Sequence, residues 1–332
     1  MPHRFAILAP VLDDWESLRH LIEDIDRTAA LSQYQFEIIA IDDGSINGPT
    51  AEQFALSACR AGGVERIEIL RIALNLGHQR AIAVGLSSVA MRPDLDAVIV
   101  MDADGEDRPD DIPRLIDEAA SHPGEVIVAH RAGRSEGPLF KSGYWLYKKI
   151  FRAMTGKSIS FGNFALIPMP AVQRLVHMPE LWNNLPASIV RSRLRYRAIH
   201  TNRGVRYAGV SRMNVPALIV HGLSAMAVYV DIMFVRVVLA AAAISAATLL
   251  AMAIVVTIRL ATSVAIPGWA TTAFGDLLVV LFQVLVIVVA VTFMVLSARI
   301  MRPFVPIADT AVFIAERIVI LETRPRPENV NG

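Results

Sequence analysis

The alternation of apolar and polar positions divides the chain into two regimes. Up to about residue 210, short apolar runs of buried-strand length alternate with stretches of helical periodicity. The runs are Phe5 to Leu12, Glu37 to Ile41, Ile67 to Ile72, Ala97 to Met101 and Val126 to Ala129. This pattern predicts a mostly parallel sheet in an α/β layer fold. In such sheets ligands bind beyond the carboxyl ends of the strands.

Beyond Arg236 the pattern changes. Val237 to Ile258 and Leu277 to Ala298 are each 22 residues without a charge. As helices they would be about 33 Å long, enough to cross a hydrocarbon core, so transmembrane helices are expected at 237–258 and 277–298. Arg212, Arg236, Arg299, Arg302 and Arg317 flank them on one side and only Arg259 on the other. That asymmetry places the N-terminal domain, residues 1–210, and both termini in the cytoplasm. Val215 to Val235 is apolar but interrupted by His221, Ser224 and Asp231, so 211–236 reads as a juxtamembrane interfacial helix. Ile307 to Leu321 carries Asp309, Glu316 and Arg317, too many charges for a third crossing. Residues 303–332 are expected to form a surface amphipathic helix and a tail.

Charge sharpens this division. The chain has 332 residues, 54% of them hydrophobic, and a formal net charge of +1. The neutrality is a cancellation: residues 1–130 hold 23 Asp and Glu against 10 Lys and Arg, whereas residues 131–236 hold 16 Lys and Arg against 3 Asp and Glu. The single cysteine, Cys59, excludes an intrachain disulfide or a cysteine metal site and suits a reducing compartment. The apolar run from Phe5 ends at Asp13 and Asp14 without a cleavage pattern, so no signal peptide is expected.

The residues that follow the predicted strands are rich in carboxylates. They are Asp13 and Asp14, then Asp42, Asp43, Gly44 and Ser45, then Asn75, Gly77 and His78, then Asp102 and Asp104, and finally His130 and Arg131. No Gly-x-Gly-x-x-Gly follows the first run and no Walker lysine loop occurs, which weakens dinucleotide and P-loop readings. Carboxylates without a glycine cradle need a cation to hold a phosphate. Asp102 and Asp104, at i and i+2 with Glu106 beyond, offer hard oxygen ligands to Mg²⁺ or Mn²⁺ and leave positions open for a diphosphate.

With these motifs in order, the sequence resembles family 2 glycosyltransferases of the GT-A fold. The resemblance rests on Pro10-Val11, Asp42-Asp43-Gly44-Ser45, Asn75-Leu76-Gly77-His78 with Ala81 and Gly85, Asp102-Ala103-Asp104, Gly162-Asn163-Phe164 and Arg206 to Arg212. The two apolar spans narrow it to something similar to polyisoprenyl-phosphate glycosyltransferases, including dolichol-phosphate mannose synthases. The resemblance implies a donor site at Pro10, Asp14, Asp43, Gly77, Asp102 and Ala103, with Asp43 on the nucleotide base and Asp102 on the ribose or the metal. Asp102, Asp104 and Glu106 would hold the cation. Arg131, Lys141, Arg206 and Arg212 would bind the acceptor phosphate, and Asp104, Arg131, Arg206 and Arg212 would carry the chemistry. A homo-oligomer packed through the helices is also implied.

Two departures from the family pattern bear on mechanism. Asp13-Asp14 replaces the usual Asn-Glu, and Gly162-Asn163-Phe164-Ala165-Leu166 lacks the carboxylate and guanidinium usual there. A sugar hydroxyl acceptor would miss a base at Asn163, whereas a phosphate, with a second pKa of about 6, is already ionised. Arg191, Arg193, Arg195 and Arg197 alternate, giving either one cationic strand face or a solvated edge. Lys141, Lys148, Lys149 and Arg152 around Tyr144, Trp145 and Tyr147 suggest a membrane-facing helix, and nucleic acid is not an expected partner.

The expected function is inverting, metal-dependent transfer of one sugar from a nucleoside diphosphate sugar, UDP or GDP, to a polyisoprenyl phosphate at the cytoplasmic face, in bacteria the inner membrane. Transfer to a hydroxyl of another membrane lipid, with Asp107, Asp110 or Asp111 as spare bases, and a nucleotide-sugar-binding membrane protein without turnover are the alternatives.

Overall fold

The first strand, β1 (Arg4–Val11), is buried from Phe5 onward. Its odd positions Phe5, Ile7, Ala9 and Val11 pack with α1 (Trp15–Ala30), and its even positions Ala6 and Leu8 pack with α2 (His78–Val89). Period-two alternation with apolar residues on both faces is what a strand covered by helices on both sides requires. The computed structural model describes residues 3–49, 62–131, 138–208, 215–262 and 268–323. Cys59 lies outside them.

β2 (Gln35–Asp42), β3 (Val64–Ile72), β4 (Ala97–Val100) and β5 (Val126–Arg131) follow as the apolar runs predicted. Three further strands complete the sheet: β6 (Ala165–Pro168), β7 (Tyr196–Thr201) and β8 (Ile314–Glu322). The order is β7-β5-β6-β4-β1-β2-β3-β8. β4, β1, β2 and β3 are parallel neighbours, while β6 runs antiparallel to both β4 and β5. The carboxyl ends of β1, β2, β3 and β4 therefore share one rim of the sheet.

The C-terminal segment departs from expectation. Residues 303–323, the described part of the segment expected as an amphipathic helix and tail, do not form such a helix: after a short turn of helix, Pro306–Asp309, the chain enters β8 and pairs antiparallel with β3. The edge of β3 explains this. An uncovered edge leaves a row of backbone donors and acceptors unpaired, and β8 satisfies it. Its arrival also closes over Glu68, which is 1% exposed and accepts from Arg66 Nη2 at 3.2 Å and Arg317 Nη1 at 2.8 Å. One compact unit accordingly comprises Met1–Tyr144, Ser158–Val228 and Phe304–Gly332.

Along the chain, α3 (Ile112–Ser121) follows the turn after β4, α4 (Pro138–Thr155) begins after β5, and α5 (Met169–Val176) and α6 (Leu185–Arg191) separate β6 from β7. The alternating arginines do not make one cationic face. Arg191 ends α6 on Glu180, Arg193 has φ +59°, and Arg195 and Arg197 face Glu125 and Glu118. The segment 211–236, expected as one interfacial helix, contains α7 (Val215–Ala227), shorter than the apolar run that predicted it.

The second unit comprises Trp145–Lys157 with Tyr229–Pro303. Its helices α8 (Val230–Ala261) and α9 (Trp269–Ile300) have 32 residues each and are long and apolar enough to cross a membrane. No residue of α9 is buried. A helix apolar all round and with no fully buried residue is suited to lipid. On α4, Tyr144, Trp145, Leu146 and Ile150 are exposed, and Lys149 Nζ sits 4.1 Å from the Trp145 ring centroid.

Candidate active site

β4 ends in Met101, and the chain turns at once through Asp102, Ala103, Asp104, Gly105, Glu106 and Asp107. Backbone bonds fix the turn: Asp102 N–H donates to Asp107 Oδ2 at 2.8 Å and Glu106 N–H to Asp104 Oδ1 at 2.9 Å. Gly105 has φ +86°, and a Cβ there would come within 2.7 Å of the Tyr207 ring. The turn is clasped by the stretch after β7. Gly204 N–H donates to Glu106 O at 3.0 Å and Tyr207 N–H to Asp104 O at 2.9 Å. Arg206 pairs with Asp104, Arg203 with Glu106, and Tyr207 Oη donates to Asp24 Oδ2 at 2.6 Å. Burial, and then the Asp24 carboxylate, push the Tyr207 phenol up, so it remains a donor.

The end of β2 organises the neighbouring loop. Asp43 Oδ1 accepts from Leu76 N–H at 2.7 Å and Oδ2 from Gly77 N–H at 2.9 Å. Gly44 has φ +76°, and a Cβ there would meet Asn75 N at 2.6 Å. Asp43 thus clamps the start of α2. Burial raises its carboxyl above the usual range despite those two bonds. Across the rim, Asp13 N–H donates to Ser45 Oγ at 2.8 Å and Asp13 Oδ1 accepts from Ile46 N–H at 2.9 Å. Pro10 is buried in β1, Ala103 is buried, and Asp14 precedes α1 without a side-chain cap bond.

His78, at the start of α2, joins these parts. Its Nε2 lies 3.2 Å from Asp102 Oδ1 and 3.0 Å from Asn163 Nδ2. Burial works against its charge, but Asp102, Asp43 and Asp104 together hold the imidazole above its ordinary value. Asn163 is in turn oriented: Gln79 Nε2 donates to Asn163 Oδ1 at 2.9 Å, and Gln79 Oε1 accepts from Leu185 N–H at 2.8 Å. The sequence patterns did not assign His78 or Gln79 a role. The signal available was position alone, since both open the helix that follows β3.

The structure brings Asp102, Asp104, Glu106 and Arg206 to one place, with Asp43 and Gly77 across the rim. The Arg131 and Lys141 side chains and all of Arg212 lie outside the described residues. Among the described residues no three His, Cys, Asp or Glu side chains converge to hold a metal ion. The expected trio of Asp102, Asp104 and Glu106 is therefore not a ready-made cage, because Glu106 turns to Arg203. Asp102 and Asp104 still suit a divalent cation. Their side chains are 25% and 18% exposed, and burial followed by the Asp102 charge raises the Asp104 carboxyl, a surplus of negative charge that a cation would relieve.

Residues 6–175 match the family profile described as glycosyl transferase family 2. An undecaprenyl-phosphate 4-deoxy-4-formamido-L-arabinose transferase of Klebsiella pneumoniae (strain 342) is 30% identical over 156 residues, 47% of this chain and 45% of that protein. Its counterpart in Yersinia enterocolitica is 31% identical over the same shares. The chain thus spans less than half the length of the curated relatives it matches. Among solved structures, glucosyl-3-phosphoglycerate synthase from Mycobacterium tuberculosis with Mn²⁺, UDP-glucose and phosphoglyceric acid superposes with a TM-score of 0.51 at 11% identity, covering 70% of this chain and 80% of that one. The same enzyme with Mn²⁺ and UDP-glucose gives 0.50 at 11% identity over 70% and 79%. At such identity the likeness is one of fold, the GT-A α/β arrangement.

Proposed function

Because the chain belongs to glycosyl transferase family 2, we propose that it transfers one sugar, with inversion, from a nucleoside diphosphate sugar to a polyisoprenyl phosphate at a membrane surface. The observation that carries this reading is the Arg206–Asp104 pair. It sets a phosphate-binding guanidinium beside the carboxylates of the acidic turn, so a donor diphosphate and an acceptor phosphate can meet there. The apolar helices α8 and α9 support a lipid acceptor, because they would confine the enzyme to the surface that holds it.

In this reading an acceptor phosphate oxygen attacks the anomeric carbon in line, the bond to the diphosphate breaks, and the nucleoside diphosphate leaves. A cation, Mg²⁺ or Mn²⁺, held by Asp102 and Asp104 would stabilise the charge on the leaving group. Arg206 orients the acceptor phosphate and offsets its charge, as a planar guanidinium does well. Arg131, Lys141 and Arg212 are the further groups we assign to that phosphate. An ionised phosphate needs no general base, which fits an amide at Asn163 already engaged with Gln79 and His78. We further propose that the catalytic unit faces the cytoplasm, on the arginine asymmetry around the two spans.

Purified protein given labelled UDP- or GDP-sugars, Mg²⁺ or Mn²⁺, and either polyprenyl phosphate or total lipid tests the proposal. Label moving to polyprenyl phosphate, and lost with chelator or Asp104→Ala, is the expected result. Label moving only to a neutral lipid would overturn the acceptor assignment. Donor binding without transfer to any lipid would replace catalysis by nucleotide-sugar binding.

A further inference from the structure

Trp182 ends the 3₁₀ turn Pro179–Trp182 that follows α5, and two rings and a cation meet at its indole. Its ring centroid lies 4.1 Å from that of Phe304 and 5.6 Å from that of Phe313, and those two are 6.1 Å apart. Arg80 of α2 sets its guanidinium carbon 5.4 Å from the indole centroid. Rings at such distances attract one another, and a guanidinium is drawn to the negative face of an indole. Phe304 and Phe313 belong to the segment between α9 and β8. Phe313 O accepts from Ala73 N–H at 2.9 Å, which ties that segment to the chain just past β3.

The chemistry proposed above does not use this stack, yet the stack adjoins the hydrogen-bond chain of the site. Three residues after Trp182, Leu185 N–H donates to Gln79 Oε1 at 2.8 Å, and Gln79 Nε2 donates to Asn163 Oδ1 at 2.9 Å. Asn163 Nδ2 in turn lies 3.0 Å from His78 Nε2, which stands beside Asp102. Gln79 and Arg80 are consecutive, so one turn of α2 holds residues 182–185 at both ends, by a cation on the indole and an amide on the backbone. Between those ends Asn184 is 2% exposed, and its Oδ1 accepts from Ala187 N–H at 2.9 Å. A shift of Trp182 therefore reaches Leu185 with little slack.

We propose that Trp182, Phe304 and Phe313 form a positioning latch, in which the chain that follows the second apolar helix holds residues 182–185 on α2 and so sets the rate of transfer. The inference rests on the transfer reading above and concerns groups that touch neither substrate. The Gln79 amide can turn about its outer bond at little cost. It keeps Oε1 toward Leu185 and Nε2 toward Asn163 only while Leu185 N–H stays within hydrogen-bond reach. Without that anchor Asn163 loses a fixed partner and His78 a fixed neighbour. Misplacement of this kind is felt first in kcat, because the step needs aligned groups, whereas binding draws on the carboxylates and arginines of the rim.

Hydrogen exchange of the full-length protein in nanodiscs, read by mass spectrometry, tests the latch without substrate. Phe304→Ala should speed exchange of the Leu185 amide about tenfold, the worth of an aromatic pair, and the amides of β1 and β4 by less than about twofold. Unchanged exchange at Leu185, or an equal rise across the sheet, overturns the inference and leaves the transfer reading standing. In transfer assays Phe304→Ala should lower kcat about five- to tenfold with both KM values within about threefold, and Phe304→Tyr, which keeps the ring, should restore kcat to within about twofold. Phe304→Ala added to Asn163→Ala should cost nothing further, since both break one chain; losses that multiply overturn the inference. Arg80→Ala, at an exposed position, should show the same pattern at smaller amplitude and decides the matter if Phe304→Ala does not fold. Absence of transfer by the wild type would instead remove the transfer reading, and the claim on its rate with it.

Discussion

Arg206 and Asp104, 102 positions apart in the chain, are joined by a guanidinium donating to Asp104 Oδ2. The bond ties the stretch after β7 to the turn after β4, which the sheet order separates by two intervening strands, β5 and β6. It also crosses the charge divide of the sequence, from the basic segment to the acidic one.

The pair assigns its members to different substrates. Replacing Arg206 by Gln should raise the KM for polyprenyl phosphate about ten- to a hundredfold, the worth of a charge-assisted bond. Donor binding with Mg²⁺ should change less than that, since Arg206 reaches the donor site only through its contact with Asp104. Steady-state kinetics with both substrates varied, set beside equilibrium donor binding, would check this, and an equal loss on the donor side would contradict the assignment.

Asn163 is held from both sides, by Gln79 and by His78. If it serves as a positioning group, Asn163→Ala should lower kcat about tenfold by releasing the His78 ring. Asn163→Asp keeps an acceptor for Gln79 and should retain transfer to a phosphate acceptor within about threefold. A large gain in transfer to hydroxyl lipids in the Asp variant would instead indicate that the chain had lost a base at this position.

Tyr207 holds the clasp through Asp24 as well as through its ring over Gly105. Tyr207→Phe removes only the hydroxyl bond and should cost about 1 kcal/mol of stability. The thermal midpoint should fall by a few degrees while donor binding persists. A midpoint equal to that of the wild type would mean that the hydroxyl exchanges its partner for water without loss.

Gly85 lets α2 pack tightly on the sheet, since an added Cβ would lie 2.3 Å from Ile41 Cδ1 and 3.4 Å from Leu8 Cδ1. Gly85→Val should therefore force the helix off the sheet and destabilise the protein by about 1–3 kcal/mol or more. Denaturant unfolding of the two proteins would measure it. The site should also suffer, because α2 carries His78 and Gln79.

Some of this was legible before any coordinates. β1 to β5 were readable because strands buried on both faces are continuous apolar runs, and α8 and α9 because a lipid-facing helix has no polar side. β6 ends at Pro168 and runs straight into the helix α5, so nothing sets it off as a strand, and β7 is largely exposed, so it carries no burial pattern. The run from Ile314 to Glu322 mixes apolar and charged positions in a way that suits a surface helix as well as an edge strand. Which it becomes depends on the open edge of β3 and on Glu68, whose charge needs Arg317 once it is covered.

The same distinction holds for the site. Local order along the chain determined the acidic turn, the Asp42-Asp43-Gly44-Ser45 loop and the family they identify, since those motifs act through their own backbone and near neighbours. Tertiary structure alone decided that Asp43 is a clamp, that Arg203 takes Glu106 and Arg206 takes Asp104, and that His78 stands between Asp102 and Asn163. Each of these pairings joins segments distant in sequence. Their partners are set by strand order and register, which no local pattern of residues encodes.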